Sequence, residues 1–239
     1  MPIETSDAPH LAAAPAHAHW RHLAAIIDHT LLLADATTAD VERVCGEAAE
    51  YGMGCVILNP TNLGLAALLL SGTGTQLGGV VGFPLGATTT SAKRHEALEA
   101  IRLGAREIDM VMNIGALKSR DRQSVQNDIA AVAEVAHSGG AILKVILETP
   151  LLTLEEKILS CELSLAAKAD FLKTATGFFG GATVVDVALM RGVAGDRAGI
   201  KASGGIRTAA DAEAMLTAGA NRLGTSSGIA IVREMGAGG

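Results

Sequence analysis

The stretch ADFLKTATGFFGGATVVDVALMRGVAGDRAGIKASGGIR, residues 169–207, contains one plan twice. Each copy begins with a short apolar run, ADFLKTAT (169–176) or GIKASG (199–204), and turns on glycines, with a helix-like segment between the two. Strand, turn and helix in that order are the repeating unit of parallel α/β folds. Each run also carries a lysine, Lys173 in the first and Lys201 in the second. An ammonium is costly to bury, so a strand that faces a packed interior normally excludes it. Where one is admitted, desolvation and neighbouring cations lower its pKa and leave an amine able to attack a carbonyl. Two such lysines at matching places in successive units point to amine chemistry.

Working outward, the same alternation fills the chain. Strand-like runs occur at 24–30 (AAIIDHT), 55–60 (CVILNP), 78–83 (GGVVGF), 107–112 (EIDMVM), 141–148 (AILKVILE) and 221–227 (NRLGTSS), which with the first two makes eight. Helix starts are marked at Thr37 to Asp40, at Thr90-Ser91 and at Thr153 to Glu156, the last with the spacing of a capping box, and Gly104 and Gly219 are stops. Eight β–α repeats imply parallel strands joined by right-handed crossovers. A closed (β/α)8 barrel in a single domain fits best, and a doubly wound open sheet is the alternative. Residues 1–18, rich in Ala, Pro and His, read as a poorly ordered leader before a catalytic domain over 19–239. His17, His19 and His22 lack a completing cysteine or carboxylate pattern, so they read as a frayed leader entering a helix and not as metal ligands.

Composition removes several classes of function. The chain has 239 residues with 49% hydrophobic but only 3% aromatic content, so its core is built from Ala, Val, Leu and Ile. The net charge of −6 comes without a basic stripe, which argues against nucleic acid or an anionic membrane as partner. The longest apolar run, near Leu63 to Leu70, is far short of the ~20 residues of a membrane span. Three unspaced cysteines (Cys45, Cys55, Cys161) fit a reduced, cytoplasmic protein, and neither Cys55 nor Cys161 has the context of a nucleophile. No GxGxxG opens a helix after the first strand and no HExxH is present, so neither a dinucleotide nor a catalytic metal is expected.

In such barrels, active residues lie at the C-terminal ends of strands and in the loops beyond. That rule selects Asp28, Asn59, Asp109, Glu148 with Thr149, Lys173 with Thr174 and Thr176, Lys201 with Ser203, and Ser226 with Ser227. Strands six and seven are neighbours about 4.8 Å apart, so two inward lysines disfavour each other's protonation. Lys144 on strand five adds to the positive field. The structural alternative turns the lysines outward, with their tips in water. Asp109, inside EIDMVM, needs a partner: a lysine, a catalytic water, or backbone amides in a purely structural role. Glu107 is expected to face away from Ile108 and to meet a helix. Gly204-Gly205 and the GTSSG loop (224–228) follow strands seven and eight, the usual phosphate cradle of this architecture.

The segments IDHTLL, GFPLGATTTSAKRHEALEAIRLGAREIDMVMNIGALKS, LKVILET, DFLKTATGF, KASGGIRT and LGTSSG resemble the deoxyribose-phosphate aldolase family, and the likeness runs over nearly all of residues 24–233. The resemblance implies a class I aldolase on a (β/α)8 barrel, with no metal or cofactor, acting in deoxynucleoside breakdown. Its reaction is the reversible cleavage of 2-deoxy-D-ribose 5-phosphate to acetaldehyde and D-glyceraldehyde 3-phosphate. It further implies Lys173 as the Schiff-base lysine, Lys201 as the neighbour that depresses its pKa, and Asp109 as the acid–base carboxylate. Gly204, Gly205, Ser226 and Ser227 are implied for the phosphate and a homodimer or homotetramer for the assembly; Asp28, Thr176 and Gly177 are expected beside them in the substrate and phosphate site. The chain departs from the family at Ala175, where serine is usual, and at Phe178, where some members have a lysine. Ile57 stands where many have a cysteine, and Tyr51, the only tyrosine, is no tail residue. Rival readings are an aldolase acting on other aldehydes and a non-catalytic phosphosugar-binding barrel.

Overall fold

Each of the eight apolar runs forms a strand in the computed structural model, which describes residues 16–236. The strands are β1 (Ile27–Leu31), β2 (Cys55–Leu58), β3 (Gln76–Val81), β4 (Glu107–Val111), β5 (Ile142–Ile146), β6 (Phe171–Lys173), β7 (Gly199–Ser203) and β8 (Arg222–Thr225). They pair in parallel in sequence order, and β8 closes on β1 through Ile27↔Leu223, Asp28↔Gly224 and His29↔Thr225. That closure selects the barrel over the open sheet.

Around the strands run α1 (Ala16–Ala25), α2 (Thr38–Tyr51), α3 (Leu63–Leu69), α4 (Thr90–Arg102), α5 (Ile114–Lys118), α6 (Arg122–Ser138), α7 (Leu154–Ala166), α8 (Val184–Ala194), α9 (Ala209–Thr217) and α10 (Gly228–Glu234). The threonines mark the starts as expected. Thr37 and Thr153 close capping boxes with Asp40 and Glu156, each contributing about 1 kcal/mol. The cap of α4 is Thr89, one residue before the expected pair. Of the leader expected over 1–18, residues 1–15 lie outside the described residues, and α1 begins at Ala16. His22 is exposed on α1, while the side chains of His17 and His19 lie outside the described set. No helix among the described residues is long and apolar enough to cross a membrane.

Period-two alternation divides every strand between two environments. Outward residues such as Ile108, Val145, Leu172, Ile200 and Leu223 are fully buried against the helices in one continuous core. The inner face is split. Cys55, Ile57 and Val80 from β2 and β3 make a small apolar cluster with Leu32 and Phe83. From β4 round to β1, the interior instead holds Glu107, Asp109, Lys144, Lys173, Lys201, Arg222 and Asp28. One side of the barrel is oil and the other is an ion cluster.

Candidate active site

Lys173 is the last residue of β6 and pairs in register with Lys201 of β7. Both point inward, and the outward alternative is excluded by their contacts. Asp109, on β4, receives both ammonium groups on a single oxygen, Oδ2, at 2.8 Å from Lys173 Nζ and 2.7 Å from Lys201 Nζ. Lys201 also pairs with Asp28. Lys144 lies 2.8 Å from Asp28 Oδ2 and 3.0 Å from Asp109 Oδ1, and pairs with Glu107 as well. Arg222 completes the set, 3.1 Å from Asp28 and 3.1 Å from Glu107.

Partner number separates the three interior lysines. Lys144 has three carboxylates, Lys201 two and Lys173 one. Burial lowers the pKa of Lys173 to about 8, opposed by Asp109 and assisted by Lys201 and Lys144. Burial acts on Lys144 in the same sense, but Asp109, Asp28 and Glu107 outweigh it and hold Lys144 well above the ordinary lysine value. Burial also favours neutral Asp109, yet Lys144, Lys173 and Lys201 keep it well below the usual carboxylate range. Asp28 is held at about 2, burial again being overcome, here by Lys144, Lys201 and Arg222.

The strand ends that carry the two lysines are fixed by local bonding. Thr174 Oγ1 donates to the Ser203 carbonyl at 3.1 Å, and Ser203 Oγ donates to the Ala175 carbonyl at 2.6 Å, tying the end of β6 to the end of β7. Gly224 makes room for Lys201, because a Cβ there would sit 2.9 Å from Lys201 Cε. Gly204 has φ 86°, and its Cα–Cβ direction is filled by the backbone of Gly180 and Gly181, so the loops beyond β6 and β7 touch main chain to main chain.

Above Lys173 opens a cleft of about 310 Å³, lined also by Thr176, Gly177, Gly204, Gly205 and Ser226. The fold thus brings these five residues together on one cleft wall with Lys173. Ser227 does not line that cleft; it half-buries at the start of α10, its amide donating to Thr225 Oγ1 at 2.9 Å. Asp28 is likewise absent from the cleft wall. It is the second residue of β1, three short of the strand end, and is fully buried among Lys144, Lys201 and Arg222. Glu107 also departs from expectation. It does face away from Ile108, but that direction is the barrel interior, where Lys144 and Arg222 meet it.

Two residues without an assigned role belong to this region. Arg207 lines the cleft from the loop four residues past β7, where a strand-end rule does not reach. Glu148 is fully buried with φ 57°, and its carboxylate accepts the Thr176 amide at 3.2 Å, supporting the turn beyond Lys173. Asn59, just past β2 on the apolar side of the barrel, is no part of the cleft wall. Tyr51 stacks edge-on against Trp20 on the outside of the barrel, away from the lysines. The cysteines are all buried and free, and burial pushes Cys45 up to about 11 and Cys161 to about 12.

A buried amine with a lowered pKa, a shared carboxylate and an open cleft suit imine chemistry on a small carbonyl compound. The family model for DeoC/LacD aldolases matches residues 22–235. The chain belongs to the DeoC/LacD aldolase family. It is 51% identical to a deoxyribose-phosphate aldolase of a Thermoanaerobacter species, covering 89% of this chain and 96% of that one. Identity to the deoxyribose-phosphate aldolase of a Geobacillus species is 53%, over 88% of this chain and 95% of the relative. The tetrameric deoxyribose phosphate aldolase from Aeropyrum pernix superposes with a TM-score of 0.86 at 35% identity, covering 91% of this chain and 92% of that one. As a DeoC/LacD aldolase, the chain carries its ion cluster on the same fold as the Aeropyrum pernix enzyme.

Proposed function

We propose that this chain is a Schiff-base aldolase that cleaves 2-deoxy-D-ribose 5-phosphate to acetaldehyde and D-glyceraldehyde 3-phosphate. The observation that carries this reading is Lys173, the interior lysine with the fewest carboxylate partners, the lowered pKa and a place on the cleft wall. With a value of about 8, roughly one molecule in ten holds the free amine at pH 7. An ordinary lysine would offer fewer than about one in a thousand.

Lys173 Nζ adds to the C1 aldehyde, and loss of water gives an iminium. The iminium draws electrons from the C2–C3 bond, which breaks as the C3 hydroxyl gives up its proton to Asp109 and Lys201 acting through water. Glyceraldehyde 3-phosphate leaves, and an enamine stays on Lys173. A proton returned to C2 and the addition of water release acetaldehyde and restore the amine. Asp109 suits this relay because its Oδ2 already bridges both lysine nitrogens. The phosphate is assigned to Gly204, Gly205, Ser226 and Arg207, with Thr176 and Gly177 nearer the sugar. Asp28 and Ser227 act from behind this contact surface.

A coupled assay for glyceraldehyde 3-phosphate tests the reading. Turnover of 2-deoxyribose 5-phosphate far above that of 2-deoxyribose is the expected result, and inactivity on both refutes it. The assembly is inferred to be a homodimer or homotetramer, in line with the Aeropyrum pernix relative, and the location cytoplasmic, in line with the free cysteines.

A further inference from the structure

Arg222 has no place in the steps above, yet it is built into the barrel with care. It sits on β8 in register with Lys201, which is itself in register with Lys173, so three cations stand side by side across β6, β7 and β8. Its guanidinium lies 5.6 Å from the Phe171 ring centroid, and the ring fills the space that a Cβ at Gly199 would need. Its two terminal nitrogens are split between Asp28 and Glu107, neither of which lines the cleft.

The groups joined by ion pairs in this interior do not balance. Asp28, Glu107 and Asp109 are three carboxylates against the four cations Lys144, Lys173, Lys201 and Arg222, while Glu148, which borders Lys173 without an ion pair, is pushed by burial towards its neutral form. Arginine does not give up its proton in proteins, so a lysine must relieve the surplus. Lys173 does so at least expense, because it has one carboxylate contact and borders the cleft.

We propose that Arg222 and Glu107 are positioning residues that set the pH at which Lys173 becomes a free amine, acting through interior charge balance and touching no substrate. The inference rests on the Schiff-base reading of Lys173. The groups facing Arg222 are Asp28 on β1, neutral Cys55 on β2, Glu107 and Asp109 on β4 and Lys201 on β7. Those facing Lys173 are Asp109 on β4, Lys144 on β5, Glu148 just beyond it and Lys201 on β7. Removing the charge of Arg222 leaves three carboxylates for three lysines, so Lys173 keeps its proton to higher pH. Removing the charge of Glu107 enlarges the surplus, so Lys173 loses its proton at lower pH. Two strand spacings put Arg222 and Lys173 about 10 Å apart, where one charge shifts a titration by about one pH unit at an effective dielectric near 20.

The test compares wild type, Arg222→Met, Arg222→Lys, Glu107→Gln and the Arg222→Met/Glu107→Gln double variant. Thermal unfolding first confirms that each is folded. Competitive labelling with acetic anhydride across pH then titrates Lys173 whether or not sugar is turned over, and kcat/KM against pH follows the same group in catalysis. The expected midpoint rises by half to one pH unit in Arg222→Met, falls in Glu107→Gln, and returns to the wild-type value in Arg222→Lys and in the double variant. Loss of packing alone would shift no midpoint or shift both single variants the same way, and either result overturns the proposal. If Glu107→Gln alone folds, an unmoved or raised midpoint suffices to reject it. A Lys173 midpoint that moves as described in a protein without aldolase activity would uphold the charge balance and reject the reaction assigned above.

Discussion

Lys173→Met should make the protein inactive and, at neutral pH, more stable. The ordinary value of 10.5 for a lysine falls to about 8 in the fold, chiefly through burial, with Lys201 and Lys144 contributing and Asp109 opposing. Below pH 8 the lysine is charged in both folded and unfolded chains, and the fold bears the full cost of holding an unfavourable ammonium. That difference corresponds to about 3 kcal/mol. As pH rises from 8 towards 10.5 the folded lysine is already neutral while the unfolded one still binds a proton, so the cost fades; above 10.5 it is gone. Methionine fills a similar volume without charge and leaves three carboxylates facing three cations. For a chain of 239 residues, 3 kcal/mol is a rise in Tm of about 6–12 °C. Urea unfolding of both proteins at intervals between pH 6.5 and 10.5 measures it. A variant no more stable than wild type at pH 7, or a gap that widens with rising pH, would refute the reasoning.

Other perturbations separate the remaining parts. Asp109→Asn is expected to lower kcat by about 10²–10⁴ in steady-state cleavage assays while imine trapping on Lys173 persists, because the proton acceptor is lost and the nucleophile kept. Gly224→Ala drives a Cβ against Lys201 Cε and Ser203 Cβ, each at 2.9 Å; it should destabilise by about 1–3 kcal/mol in denaturant unfolding and reduce kcat. Arg207→Ala should raise KM for the phosphorylated sugar by about 10- to 100-fold and leave the weak turnover of 2-deoxyribose unchanged. Thr153→Ala removes the capping box of α7 and should cost about 1 kcal/mol in Tm measurements with no effect on kcat/KM.

The barrel and its lysine pair were legible because they depend on local rules. Strand period and strand order together bring Lys173 beside Lys201, with the pairing Lys173↔Lys201 following from neighbouring units. The misplaced residues depend on facts that no local window contains. Asp28 is selected as a strand-end group because it follows the apolar AII, yet β1 runs on for three residues to Leu31 and leaves Asp28 deep in the barrel. Glu107 shares a face with Asp109 by simple alternation, but its partner Arg222 comes from 115 residues further along and meets it only in the closed barrel. Arg207 reaches the cleft by the path of a loop, which residue spacing does not encode. Ser227 carries the right hydroxyl, yet its amide is engaged by Thr225 and it turns off the cleft wall.

Trapping of the imine tests the central claim most directly. The protein is incubated with 2-deoxyribose 5-phosphate, reduced with borohydride, digested and mapped by mass spectrometry. The account predicts a reduced adduct on Lys173 and none on Lys144 or Lys201. An adduct on Lys201 would exchange the two lysine roles, and the absence of any adduct from a protein that still cleaves the sugar would contradict the Schiff-base mechanism.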